Sequence, residues 1–294
     1  MHCLSFHPAQ NTPSPVPFKS SQPSKWLKNL KMSQRASNSR KNQAKAKRLS
    51  NRNNFKTRAL MKKGKMLSLA KLYETKVSKG QVAIVLFNDF SGIAIMSPLR
   101  SVVLDPTQID ASSFQKVDFL LITHEHTDHL DEILVSQIQQ ITGCTVIADR
   151  TSSESLRDFI PKNKMKVIQA DMEVTLDDLV IEALPSNHPA AATPVTYMIT
   201  LENGVKIFHA SDSLPFPAME RIGLNEKPDI VLCAISGGAG LTPRTGVEIA
   251  KLIKAKVAIP YHGDSFSDFE NIIKRELPEQ KVVTLKKMVP YIYG

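Results

Sequence analysis

The sequence predicts an α/β sandwich in which two layers of sheet are faced by helices, an αββα arrangement of four layers. Three observations predict it. Short β-rich runs bounded by Asn, Asp, Gly or Pro begin at Val82, helical spacing first follows His129, and from there strand and helix patterns mix to the C-terminus.

The runs at Val82–Phe87, Gly92–Met96, Val102–Leu104 and Phe119–Ile122 read as strands. After His129, Leu130, Leu134, Ile138 and Ile141 recur at helical spacing, and Gly143 ends that helix before a strand at Val146–Ala148. Further strands are expected at Val167–Ile168, Leu179–Leu184, Val195–Leu201, Val205–His209 and Ile230–Ala234, with helices over 151–160, 244–255 and 266–276. No internal repeat at a period of about 20 to 50 residues is visible.

With 294 residues, 42% of them hydrophobic, the chain can build one large core or two small ones. Its formal charge of +10 suggests a nucleic-acid or membrane partner until the charges are located. Residues 1–65 hold 16 Lys and Arg and no Asp or Glu, which leaves 22 basic against 28 acidic residues in the remainder. The basic character therefore belongs to a tail, rich in Ser, Asn, Gln, Lys and Pro and expected to be disordered, ahead of a folded domain over 66–294. Three readings of this tail compete: a targeting peptide, a basic arm that holds nucleic acid, or a translation start placed too far upstream of Met61 or Met66.

Cys3, Cys144 and Cys233 are odd in number and widely spaced, so neither a disulfide framework nor a thiolate zinc ribbon is expected. Cys233, inside the apolar run Ile230–Ile235, reads as a small core residue. With no apolar run near the ~18 residues of a membrane span and no secretory signal, the expectation is a soluble, cytoplasmic protein without a membrane partner, or an organellar one if the tail is a targeting peptide.

The chemistry concentrates in Thr123-His124-Glu125-His126-Thr127-Asp128-His129, directly after an apolar strand and before a helix. Three imidazoles and a carboxylate suit Zn²⁺, Mn²⁺ or Fe²⁺. Alternation points His124 and His126 the same way, and a turn at Asp128 and His129 sends those two toward a second position. Two metals at the spacing of about 3.5 to 4 Å used by two-metal hydrolases are then possible.

At this motif the chain resembles the metallo-β-lactamase superfamily. That family expects three further ligands at wide intervals, and His188, Asp212 and His262 occur here in that order, within Ser186-Asn187-His188-Pro189, His209-Ala210-Ser211-Asp212-Ser213 and Ile259-Pro260-Tyr261-His262-Gly263. The resemblance implies a four-layer αββα sandwich of the metallo-β-lactamase type. It places His124, His126 and His188 on one metal and Asp128, His129 and His262 on the other, with Asp212 bridging. The cofactors are two divalent ions, Zn²⁺ before Mn²⁺ or Fe²⁺.

Within the superfamily the chain looks most like the branch containing L-ascorbate-6-phosphate lactonase, over roughly residues 79–275. The features that carry this are Leu104-Asp105-Pro106, the Asp212 strand end, Pro228-Asp229-Ile230-Val231-Leu232 and the stretch Ile235–Pro243 leading through a helix to His262. Relatives commonly read Gly-Asp-Thr where this chain has Ser211-Asp212-Ser213, and Met where it has Leu241. Only 24 residues separate His188 from Asp212, so the long insertion of nucleic-acid-processing relatives is absent.

The expected function is a hydrolase that uses a metal-bridging hydroxide, oriented by Asp128 and Asp212 as catalytic carboxylates, on a small ester, lactone or phosphoester. The alternative is a nucleic-acid-binding protein or nuclease that uses the basic tail. His209 is left between core packing and substrate contact. Ser236, Thr242 and Arg244 are candidate substrate contacts for an anionic small molecule: Thr242 and Pro243 open a helix after three glycines, and its N–H groups with Arg244 could bind an anion. The competing reading of that stretch is an ordinary glycine-rich turn. Val247, Ala250 and Ile253 should face the core.

Overall fold

The computed structural model describes residues 69–294. The basic tail expected over 1–65, with its targeting, nucleic-acid and start-site readings, lies outside the described residues.

Two seven-stranded sheets form the centre. The first comprises β1 (Val82–Leu86), β2 (Ile93–Met96), β3 (Ser101–Leu104), β4 (Phe119–Ile122), β5 (Thr145–Ala148) and β6 (Met165–Val167), with β14 (Tyr291–Tyr293) added beside β1. The second runs β13 (Lys281–Val282), β12 (Val257–Tyr261), β11 (Ile230–Ala234), β10 (Lys206–His209), β9 (Val195–Thr200), β8 (Leu179–Pro185) and β7 (Met172–Leu176). Strands β3 to β6 are mutually parallel, as are β10 to β13.

Helices α1 (Ala70–Glu74), α2 (Glu132–Thr142) and α3 (Arg150–Leu156) pack on the first sheet. Helices α4 (Ala218–Glu226), α5 (Pro243–Ile253) and α6 (Phe266–Glu276) pack on the second. Strands such as β1, β3, β4, β11 and β12 are continuous apolar or small-residue runs because both of their faces are buried. In β1, Val82, Ile84 and Leu86 face the other sheet while Ala83 and Val85 face the helices. The architecture is the expected αββα sandwich.

Capping chemistry sets the helix ends. Leu134 N–H donates to the Asp131 side chain at the start of α2, and Gly143 closes it in the left-handed region at φ +71°. Thr242 caps α5, Pro243 occupies its first turn, and Val247, Ala250 and Ile253 are buried as their spacing predicts. Ile141 differs: it stands in the last turn of α2 and is 55% exposed. Cys144 and Cys233 are free and buried.

Several elements were not legible from periodicity. Helix α1 is too short to show a period. Strand β7 is a half-exposed edge strand, and β6 begins two residues before the expected strand at 167–168. Helix α4 contains Gly223, where a Cβ would stand 2.2 Å from the Ile253 carbonyl oxygen, so the helix packs through a gap rather than an apolar stripe. Strand β12 contains Pro260, which argues against a central strand. It is tolerated because β13 pairs only with Val257 and Ala258 and ends before it.

Leu69 and Leu72 are 1% exposed, so the first described residues are part of the core. A chain starting at Met66 keeps both, and its melting temperature is expected within about 2 °C of the full-length protein. A start beyond Leu72 should cost several kcal/mol, at about 1.5 to 3 per buried leucine. A large loss already at Met66 would show that the tail docks on the domain.

Candidate metal centre

All seven expected ligands lie just beyond the C-terminal ends of strands: the His124–His129 segment after β4, His188 after β8, Asp212 after β10 and His262 after β12. A tight turn, in which His129 N–H and Leu130 N–H both donate to the His126 carbonyl, reverses the chain between His126 and His129. It separates the motif into two aims.

The structure brings the seven together as two groups of donor atoms, His124, His126 and His188 in one and Asp128, His129, Asp212 and His262 in the other. Within each group the donor atoms lie within 4.8 Å of one another. In the first, His126 Nδ1 stands 3.1 Å from His124 Nε2 and 3.2 Å from His188 Nε2. In the second, Asp212 Oδ1 is 3.3 Å from His129 Nε2, and Asp128 Oδ2 is 3.3 Å from His262 Nε2.

Asp105, quoted in the sequence only as part of a motif, organises both groups. Its buried carboxylate accepts from Thr123 N–H, Thr123 Oγ1–H and His129 Nδ1, each at 2.8 Å. Because the Thr123 hydroxyl proton points at Asp105, its oxygen can only accept from His124 Nδ1, 3.0 Å away. The Nδ1 of both His124 and His129 is thereby protonated, and both Nε2 atoms face the cluster. Asp105 itself sits at φ +46°, a strained conformation that non-glycine residues reach mainly at over-determined sites.

The electrostatics are those of a cation site. Burial, followed by the neighbouring imidazoles, pushes His124 far down and keeps it neutral. Burial acts the same way on His129, but Asp105 and Asp212 outweigh it and carry that ring up to about 10. The His262 contact holds Asp128 at about 2. Burial opposes ionisation of Asp212, yet His129, ahead of His262 and His188, keeps it below the usual carboxylate range. Three carboxylates thus surround two imidazoles, an excess of negative charge that a divalent ion offsets more completely than a proton.

A metal fits these residues on a further count: His129 Nε2, His262 Nε2 and Asp212 Oδ1 are buried without a hydrogen-bond partner, although they converge. The 3.3 Å approach of His129 to Asp212 is an electrostatic contact rather than an aligned hydrogen bond. Orphaned buried donors and acceptors are costly unless a ligand satisfies them.

His262 has φ +59° and depends on its neighbour Gly237, where a Cβ would stand 2.1 Å from His262 Cε1. Phe90 contacts the same ring edge-on, with centroids 5.8 Å apart. Ser91 Oγ and Thr107 Oγ1 donate to the Asp128 carbonyl and fix the backbone of that ligand. No periodicity in the sequence marks Gly237, Phe90, Ser91 or Thr107.

His209 is buried against Tyr261, with rings 5.1 Å apart, and burial pushes it down to about 4. Of its two readings, core packing is the one realised. The stretch expected as an anion anchor already has protein partners. Arg244 ion-pairs with Glu276 and lies 3.9 Å from Glu248, while Thr242 and Thr245 cap one another. An incoming anion would have to displace Glu276 and compete with that cap. Ser236 is exposed beside Gly237.

A family model described as a beta-lactamase superfamily domain matches residues 85–263. The chain belongs to this superfamily. A UPF0173 protein of Pyrococcus abyssi is 30% identical over 199 residues, covering 65% of this chain and 89% of that protein. A UPF0173 metal-dependent hydrolase of Caldivirga maquilingensis is 28% identical over 207 residues, covering 64% and 88%. Among solved structures, Igni18, a metallo hydrolase from Ignicoccus hospitalis, superposes with a TM-score of 0.61 at 20% identity, covering 73% of this chain and 99% of that one. The metallo-beta-lactamase fold protein YhfI of Bacillus subtilis gives 0.58 at 16%, covering 72% and 99%. These two share the fold.

The chain is thus a metal-dependent hydrolase of the metallo-β-lactamase superfamily, grouped with the UPF0173 proteins. Among the described residues no helix is long and apolar enough to cross a membrane.

Asp105→Asn is expected to lower metal affinity about 10- to 100-fold, the usual effect of losing a group that orients a ligand. Asn tolerates positive φ, so folding should survive. Metal binding measured by chelator competition checks this, and unchanged affinity would mean that Asp105 serves the fold alone.

Proposed function

We propose that the protein is a dinuclear hydrolase of a small ester, lactone or phosphoester. The observation that carries this is the convergence of seven side chains from four separate segments into two donor groups, the second of which has buried, unpartnered atoms. His124, His126 and His188 hold one ion, Asp128, His129 and His262 hold the other, and Asp212 lies between them. Zn²⁺ suits this nitrogen-rich donor set, with Mn²⁺ and Fe²⁺ as alternatives.

When bound, such ions supply Lewis acidity and an acidified water, whose pKa falls toward about 7. The protein's part is orientation. Asp105 holds the protons on His129 Nδ1 and, through Thr123, on His124 Nδ1, so that neither ring can turn its proton toward the centre. Asp128, half-buried, and Asp212, buried, both in the second group, would accept a proton from a nucleophilic water and orient it. No serine or cysteine nucleophile is required: Cys233 is fully buried and burial pushes its thiol up. The resemblance to the lactonase-containing branch supports lactones as the first substrates to try.

Elemental analysis of protein purified without chelator is expected to approach two divalent ions per chain. A panel of esters, lactones and phosphoesters should show activity that a chelator abolishes and Zn²⁺ or Mn²⁺ restores. A metal content near zero after reloading with both ions would overturn the reading.

A further inference from the structure

The ligand His188 reaches the centre from the second sheet, whereas His124 and His126 belong to the first. It stands at the start of a strap, Pro189-Ala190-Ala191-Ala192-Thr193-Pro194, that joins β8 to β9. This strap has little apolar material with which to anchor itself, and Pro189, Ala190 and Ala192 are exposed. Polar tethers hold it instead. Ala192 N–H donates to Glu125 Oε1 at 2.7 Å, and Thr193 Oγ1 donates to Asp149 Oδ2 at 2.5 Å. Val195 N–H donates to the Thr123 carbonyl at 3.1 Å, and the Ala190 carbonyl lies 3.3 Å from His126 Nε2.

Glu125 and Asp149 follow β4 and β5, neighbouring parallel strands of the first sheet. Two carboxylates at adjacent strand ends therefore fasten a strap that arrives from the other sheet. The second Glu125 oxygen, Oε2, is buried without a partner and adds no competing tether. The second donor group is held differently, by the Asp105 network around His129 and by the close packing of Gly237 on His262.

We propose that Glu125 and Thr193 are positioning residues that latch the 189–194 strap and thereby seat His188, so that one metal position depends on the latch and the other does not. This rests on the dinuclear reading above. The two positions then differ in origin: one is complete only when the strap is fastened, and the other is preassembled.

The test compares wild type with Glu125→Ala, Glu125→Gln and Thr193→Val by Zn²⁺ titration against a chromophoric chelator. Hydrogen exchange of the 187–194 peptide is followed alongside, with thermal melting to verify folding. Glu125→Ala and Thr193→Val are expected to weaken one of the two ions about tenfold or more, to leave the other within about twofold, and to speed exchange in the strap. Gln retains an acceptor for Ala192 N–H, so Glu125→Gln should restore both tight ions and slow exchange. If wild type binds fewer than two ions, the dinuclear reading falls and the latch with it. If wild type binds two and the folded Ala and Val variants lose both equally or neither, the latch alone is overturned.

Discussion

Asp212→Ala is expected to reduce hydrolysis by about a thousandfold or more and to bring bound metal below two ions per chain, with the fold retained. Asp212 is 1% exposed, and its Oδ1 lies 3.3 Å from His129 Nε2 and 3.8 Å from His262 Nε2. On the dinuclear reading, a carboxylate between two dications would offset their mutual repulsion, so its removal should weaken both positions at once. Several kcal/mol of lost charge stabilisation in the transition state corresponds to the stated rate factor. The apo protein should be less affected: Ala removes a buried charge whose ionisation burial itself opposes. Metal analysis, circular dichroism and kcat/KM on the best substrate together check the prediction. Activity within about tenfold of wild type, with two ions bound, would remove Asp212 from the centre.

Gly237→Ala has the next largest expected effect, at a position that carries no chemistry of its own. The new Cβ would stand 2.1 Å from His262 Cε1 and 2.4 Å from Nε2, far inside any tolerated contact. The backbone there has φ +101°, where an L side chain is strained. Overpacking costs about 1 to 3 kcal/mol, and the backbone strain adds a similar amount. His262 is the movable partner and should be driven out of line, so the ion proposed for Asp128, His129 and His262 should be lost first. Gly240→Ala separates the two causes, because φ +87° imposes comparable strain while the nearest atom is Leu214 Cδ2 at 3.3 Å. Gly240→Ala should lower the melting temperature yet keep both ions. Equal metal loss in the two variants would show that backbone strain, not the clash with His262, disturbs the site.

The largest expected losses thus fall on one residue that motif reading finds and one that it does not. The sandwich was legible because its strands are buried on both faces and appear as short apolar runs, as in Val82–Leu86 and Ile230–Ala234. Ligands within the His124–His129 segment were legible because one turn fixes their mutual placement, so spacing alone carries the geometry. His188 and Asp212 were found through their order along the chain and their position after strands, and His262 through its order and its place near the C-terminus, as the resemblance implied. Strand β12 was missed because Pro260 is an unfavourable residue whose tolerance depends on where β13 stops.

By itself, then, the sequence determined which side chains are the candidate donors and, for all but His262, the strands that they follow. Tertiary structure alone decided how those donors are held. Asp105 meets His129 across 24 residues, Glu125 meets Ala192 across 67, and Arg244 meets Glu276 across 32. The last of these gives Arg244 a carboxylate partner on another helix, which its helix N-terminus did not suggest. The physical reason is that a residue's spacing reports the face of an element on which it lies, through the geometry of helix and strand. Its hydrogen-bond partner is chosen by which distant segment the packing of the two sheets brings within about 3 Å, and no local pattern encodes that choice.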